Sequence, residues 1–212
     1  MPDYISISPP FLFECQNCPT PCDGISVPHF DFEKDVAFAE QIEGELIARF
    51  NKQYPHYIAA KTSREGYPDL EIADREERTQ PFLMLEIKAQ TRTFMAVARC
   101  MPACGLLPSE TVALNLSDLL RYFDIKQKYP TTPMYILWCL LNRPCITPVG
   151  RRRWFYADIE HLRKIYENEK NKRRFRRKSG VGDVVDGRHK GVTVNYHFSL
   201  NELTEGFPPL KK

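Results

Sequence analysis

Tyr67-Pro68-Asp69-Leu70-Glu71-Ile72 and, a short connection later, Phe82-Leu83-Met84-Leu85-Glu86-Ile87-Lys88-Ala89-Gln90 decide how this chain is read. Both stretches alternate apolar and polar residues as short strands do. In the second, Leu83, Leu85, Ile87 and Ala89 fall on one face. Met84, Glu86, Lys88 and Gln90 fall on the other, because successive strand side chains point to opposite sides. In the first, Asp69 and Glu71 share a face opposite Leu70 and Ile72. If the strands pair with their apolar faces together, one aspartate, one or two glutamates and a lysine converge on one patch.

Gathering carboxylates and an ammonium away from water is costly unless something compensates them. A divalent cation would. Carboxylate oxygens suit Mg²⁺ or Mn²⁺, which keep several waters and need only one or two protein carboxylates. A lysine beside them can orient a water or stabilise negative charge developing on a phosphate. That chemistry is metal-assisted phosphodiester hydrolysis.

Pro68-Asp69, a spacer, then Glu86-x-Lys88 resembles the signature of the PD-(D/E)xK nuclease superfamily. The resemblance implies an α/β, restriction-endonuclease-like fold, a central mixed β-sheet flanked by helices. It implies that Asp69 and Glu86 hold Mg²⁺ or Mn²⁺, that Lys88 acts on the attacking water, and that cleavage of DNA leaves a 5′-phosphate. Members often carry a further glutamate on the helix before the core strands, and Glu43 is the candidate here, with Glu40 second. Two other readings stay open. The fold could be a catalytically silent DNA-binding or complex-forming subunit, or the chain could be a metal-stapled adaptor that binds no nucleic acid.

The rest of the chain fills in around this. Its 212 residues, 42% hydrophobic, suffice for one packed domain with elaborations. No apolar run is long enough to span a membrane and no signal peptide is evident, so a cytoplasmic location is expected. Residues 1–30 are Pro-rich and form a Cys-containing N-terminal extension to a domain over 31–212. Cys15, Cys18 and Cys22 are spaced to wrap one metal, zinc or an iron–sulfur cluster, with the fourth ligand from His29, Cys100 or Cys104. Some superfamily members hold such a cluster with one early and three late cysteines, whereas this chain has three early ones. Reduced, shielded thiols are the alternative.

Helices are expected over Glu33–Lys52, with Val36, Ala39, Ile42, Leu46, Ile47 and Phe50 inward and Asp31 as cap, over residues 117–129 with Ser117 as cap, and over Ala157–Asn171. Met134–Leu141 is apolar on both faces, as in a central strand covered on both sides. Gly191–Leu200 alternates as a late strand. Residues 91–116 give no clear pattern beyond a loop at Cys100–Gly105, where Pro102 argues against a continuous helix.

Charge is uneven. Residues 151–178 hold twelve Lys/Arg against four Asp/Glu, in a chain whose net charge is only +3. A basic segment over 151–190 is an electrostatic footprint for a polyanion. Arg151, Arg152 and Arg153, followed by three aromatics, and Lys172, Arg173, Arg174, Arg176 and Arg177, in an expected mobile loop, are the candidate DNA contacts. A homodimer or a partner subunit would fit double-strand cleavage.

Overall fold

A computed structural model describes residues 7–18, 32–76, 81–91, 93–141, 143, 145–147, 150–176, 184–185, 188–189 and 194–210. In chain order the helices are α1 (Phe32–Gln53), α2 (Val97–Cys100), α3 (Leu116–Lys128) and α4 (Ile159–Glu169). The strands are β1 (Tyr57–Lys61), β2 (Leu70–Asp74), β3 (Leu83–Gln90), β4 (Thr111–Asn115), β5 (Met134–Leu140), β6 (Arg153–Asp158), β7 (Arg174–Arg176), β8 (Val184–Val185), β9 (Arg188–His189), β10 (Val194–Ser199) and β11 (Thr204–Glu205). Six strands form the main sheet in the order β1-β2-β3-β5-β6-β11, and β4-β10-β7 form a smaller one. The β3–β5 pair is parallel, and the other pairs of the main sheet are antiparallel. The fold is therefore a mixed α/β sheet between layers, as the resemblance implied.

The alternation of β3 sorts the core. Leu83, Leu85 and Ile87 join Leu70, Ile72, Ala59, Leu137 and Cys139 beneath Ile42 of α1. On the other face Met84, Ile136, Trp138 and Phe155 pack against α3, α4 and the small sheet. Side chains at β5 are buried on both faces, which is why its sequence is apolar throughout. Trp138 is fully buried, and its indole N–H donates to the Ala113 carbonyl of β4 at 3.2 Å. Residues 7–18 are knitted into this body. Phe11 sits edge-on to Phe155 at 5.8 Å, and Ser109 Oγ donates to its carbonyl.

The structure differs from the sequence reading in places that have local causes. β4 falls in a stretch whose sequence gives no clear pattern; it is five residues long and buried on both faces, so it has no alternation to betray it. Ser117 lies inside α3, and Asn115 is the N-cap without a side-chain cap bond. Val36 is 38% exposed, so the buried stripe of α1 starts later than its pattern suggests. Residues 170–176, expected as a mobile loop, form a short 3₁₀ turn and β7, tied to β10. Asp31 and Cys22 lie outside the described residues.

Helix α4 starts at Ile159, two residues after the expected start, because Asp158 accepts the Glu160 N–H at 2.7 Å and caps it. Asp158→Ala should cost about 1 kcal/mol, or roughly 2–4 °C in Tm. A thermal melt indistinguishable from the parent's would deny the cap its weight.

Candidate active site

Strand pairing makes the site. β2 and β3 run antiparallel with Leu70 opposite Leu85 and Glu71 opposite Met84. One step further brings Asp69 opposite Glu86. The Asp69 backbone N–H donates to Glu86 Oε2 at 3.3 Å, and the Ile87 N–H donates to Asp69 Oδ2 at 2.8 Å. Each carboxylate is thus pinned by the neighbouring strand's backbone. Lys88, two residues along the same face, forms an ion pair with Glu86. Its Nζ also lies 4.0 Å from Asp118 Oδ2 on α3.

The electrostatics are crowded. Glu86 is 1% exposed. Burial first, then the charge of Glu86, pushes the Asp69 carboxyl up to about 7, although the Ile87 N–H opposes the shift. Burial works against the charge of Lys88, but Glu86, Asp69 and Asp118 outweigh it and raise its pKa. Lys88 is therefore an ammonium at neutral pH. Tyr122 of α3 is buried against Glu86. Burial and that carboxylate hold its phenol well above the usual range, so it stays protonated.

Asp118 and Tyr122 are the site residues that the sequence reading missed. In sequence Asp118 is only an acid in the first turn of a helix, and Tyr122 carries no signal. Their spacing of four puts them on one helix face, which would have paired them had the direction of α3 been known.

Other candidates are placed differently. Glu71 shares the face of Asp69, yet Arg64 and Thr62 engage its Oε1. Glu43 pairs with Lys61 at 2.8 Å, near enough to Asp69 to affect its charge. Among the described residues no three His, Cys, Asp or Glu side chains are grouped to hold a metal. Glu43 therefore does not complete a three-ligand set with Asp69 and Glu86, and Cys15, Cys18 and Cys104 do not meet around a zinc or a cluster. Cys15 is buried and Cys104 packs with Val97, Met101 and Leu106. Cys139 is buried too, its thiol pushed up to about 12, which makes it an inert core group.

The basic candidates divide. Arg173 is 7% exposed and bonds Glu202 at 2.6 Å, with Glu169 at 3.7 Å. Its carbonyl accepts from Nδ1 of buried His197 at 3.2 Å, and burial holds that imidazole down to about 4, hence neutral. Arg153 pairs with Glu205 at 2.7 Å and Arg152 with Glu45. These arginines are spent on the fold because an acid faces each one from a distant segment. Lys172 is 58% exposed, with Glu169 at 3.7 Å. Arg151, Arg174 and Arg176 are exposed, and Arg177 lies outside the described residues.

The fold and site together define a mixed α/β protein with a paired-carboxylate and lysine centre. No family model and no curated protein matches the chain. Among solved structures it is similar to Hjc of Archaeoglobus fulgidus, a Holliday junction resolvase from an archaeal hyperthermophile. The identity is 10% and the TM-score 0.38, over 76% of this chain and 84% of that one. No described helix is long and apolar enough to cross a membrane.

Proposed function

We propose that the protein is a divalent-metal-dependent endonuclease that hydrolyses phosphodiester bonds in DNA. The observation that supports this best is the Asp69–Glu86 pair. Two carboxylates abut across a strand pair, each held by backbone N–H, with the Lys88 ammonium beside them.

The donor set fits a hard cation. Asp69 and Glu86 offer only oxygens, and a cation between them would offset both the burial and the Glu86 charge that raise the Asp69 carboxyl. Two protein carboxylates suit Mg²⁺ or Mn²⁺, which fill the remainder of their shell with water and phosphate oxygens. When bound, such an ion would act as a Lewis acid and lower the pKa of a water.

The chain's own groups have distinct parts. The Ile87 N–H fixes the Asp69 carboxylate, and Tyr122 walls Glu86 from solvent. Lys88 is protonated, so it serves as a donor, orienting the attacking water and stabilising charge on the phosphoryl oxygens, rather than as a resting base. The water oxygen bonds to phosphorus as the bond to the 3′ oxygen breaks; the attacking water gives a proton to surrounding water, the 3′ oxygen takes one and leaves as a hydroxyl, and the phosphate stays on the 5′ end.

Supercoiled plasmid incubated with Mg²⁺ or Mn²⁺ tests this. Cleavage should fall by at least about a hundredfold in Lys88→Ala, with circular dichroism and DNA affinity retained. An equally active variant would sink the mechanism. DNA binding without cleavage under either metal would instead favour a silent nuclease-fold subunit.

A further inference from the structure

A cationic and aromatic ledge borders the acid pair and lies outside the basic segment the sequence singles out. Residues Thr62 to Pro68 lead into Asp69. Gly66 turns with φ +78°, and the Arg121 side chain crosses over it, so that a Cβ there would meet Arg121 Cδ at 3.1 Å. This close approach seats the turn against α3. It brings Arg64 and Tyr67 to the end of that helix, where Lys128 and Tyr129 stand. The Arg64 guanidinium lies 3.8 Å from the Tyr67 ring centroid and 5.5 Å from that of Tyr129. Lys128 Nζ is 5.4 Å from the Tyr129 ring. Arg121 reaches Asp118 at 2.7 Å, and Asp118 is the residue 4.0 Å from Lys88.

The ledge is contiguous with the site. Glu71, which anchors Arg64 through Nε at 3.0 Å, sits on the same sheet face as Asp69, two residues on, about 7 Å along the strand. We propose that Arg64, Arg121 and Lys128 bind the phosphates of the polynucleotide strand that leads into the Asp69–Glu86–Lys88 centre. This deepens the nuclease reading and rests on it.

Three features favour a ligand over a brace. First, exposure: the side chains of Arg64 and Arg121 are 33% and 44% exposed, whereas that of Arg173, which does brace the fold, is 8% exposed. Second, spare donors: a guanidinium has five N–H groups. Arg64 commits Nε and one Nη to Glu71 and the other Nη to the Tyr129 hydroxyl at 3.2 Å, which leaves two N–H groups. Third, the guanidinium is held over the Tyr67 ring by these contacts, so it loses little freedom on gripping a phosphate. Glu71, Asp118 and Glu65 are the acids nearby. Glu71 and Asp118 take one edge of an arginine each, and Lys128 adds an exposed charge beside Tyr129. Backbone phosphates position a strand without reading its sequence.

Fluorescence anisotropy in EDTA, where no cleavage occurs, reads this subsite apart from catalysis. The probes are labelled single-stranded and duplex oligonucleotides of random sequence. The variants are the surface double Arg121→Gln/Lys128→Gln, Arg64→Gln, and a control triple, Arg151→Gln/Arg174→Gln/Arg176→Gln. The double variant should lose about tenfold or more in affinity, with a salt slope shallower by roughly 1.5–2 for two lost phosphate contacts. Whichever probe weakens more identifies whether a single strand or a duplex lies on the ledge. Wild-type affinity and slope in the double variant and in Arg64→Gln, or a loss confined to the control triple, would overturn the proposal. Absent plasmid cleavage alongside ledge-dependent binding would count against the nuclease reading and leave the subsite standing.

Discussion

Asp69→Asn should abolish metal-dependent plasmid cleavage and, at pH 8, make the protein more heat-resistant than its parent. The two effects share a cause. In the folded protein Asp69 keeps its proton up to about pH 7, against an ordinary value of 3.8. Between those values the folded state binds more protons than the unfolded chain. Stability therefore falls as pH rises through that window, and the full penalty stands above pH 7. Asparagine removes the charge while its carbonyl oxygen can still accept the Ile87 N–H. A tenfold difference in proton affinity between the folded and unfolded chain corresponds to about 1.4 kcal/mol. With a side chain that retains contact with water, about 1–3 kcal/mol is expected, a Tm gain of roughly 2–10 °C at pH 8 that fades toward pH 4. Adding Mg²⁺ should raise the Tm of the parent at pH 8 and leave that of the variant nearly unmoved, since binding to the folded state alone stabilises it. A variant that melts below the parent at pH 8, or gains as much from Mg²⁺, contradicts the charge argument. At subsaturating metal, cleavage by the parent should climb as pH passes through about 7, as Asp69 ionises.

The second large effect lies away from the chemistry. Arg143 is fully buried, and its guanidinium donates to the carbonyls of Thr111 and Pro108, each at 3.0 Å, and Ser109 at 2.9 Å. These bonds hold the turn that enters β4. The same turn carries Glu110, whose carboxylate takes the Ser199 hydroxyl, the Asn201 amide at 3.1 Å and the Leu107 N–H at 3.0 Å. Arg143→Ala strands the carbonyls of Thr111 and Ser109, leaves that of Pro108 only the Thr111 N–H at 3.4 Å, and opens a void, which should cost about 3–5 kcal/mol. Denaturant titration followed by tryptophan fluorescence measures it, since Trp138 reports on this core. A loss below about 1 kcal/mol would mean that water replaces the guanidinium.

Much of the catalytic strand pair could be read from residues 67–90 because alternation has a period of two. Once Leu70 and Leu85 are assigned to one face, Asp69 and Glu86 have nowhere to go but the other. Helical periodicity gave α1 and α4 within a few residues, and an unbroken apolar run gave β5. Pattern failed for β4, five residues with neither alternation nor an unbroken apolar run, and for the arginines after 150. Local sequence shows a run of cations, but their acids, Glu45, Glu205 and Glu202, come from 107, 52 and 29 residues away.

By itself, then, the sequence determined which faces the strands present and hence which carboxylates and which lysine could share a patch. Only the tertiary structure decided what surrounds them. It laid α3 over that patch, bringing Asp118 and Tyr122 to the centre. It turned Glu43 toward Lys61, buried Arg173, and assembled Arg64, Arg121 and Lys128 into a ledge. The physical reason is range. Side-chain alternation is a property of the local backbone, whereas the partner of a charge is chosen by packing among elements far apart in the chain.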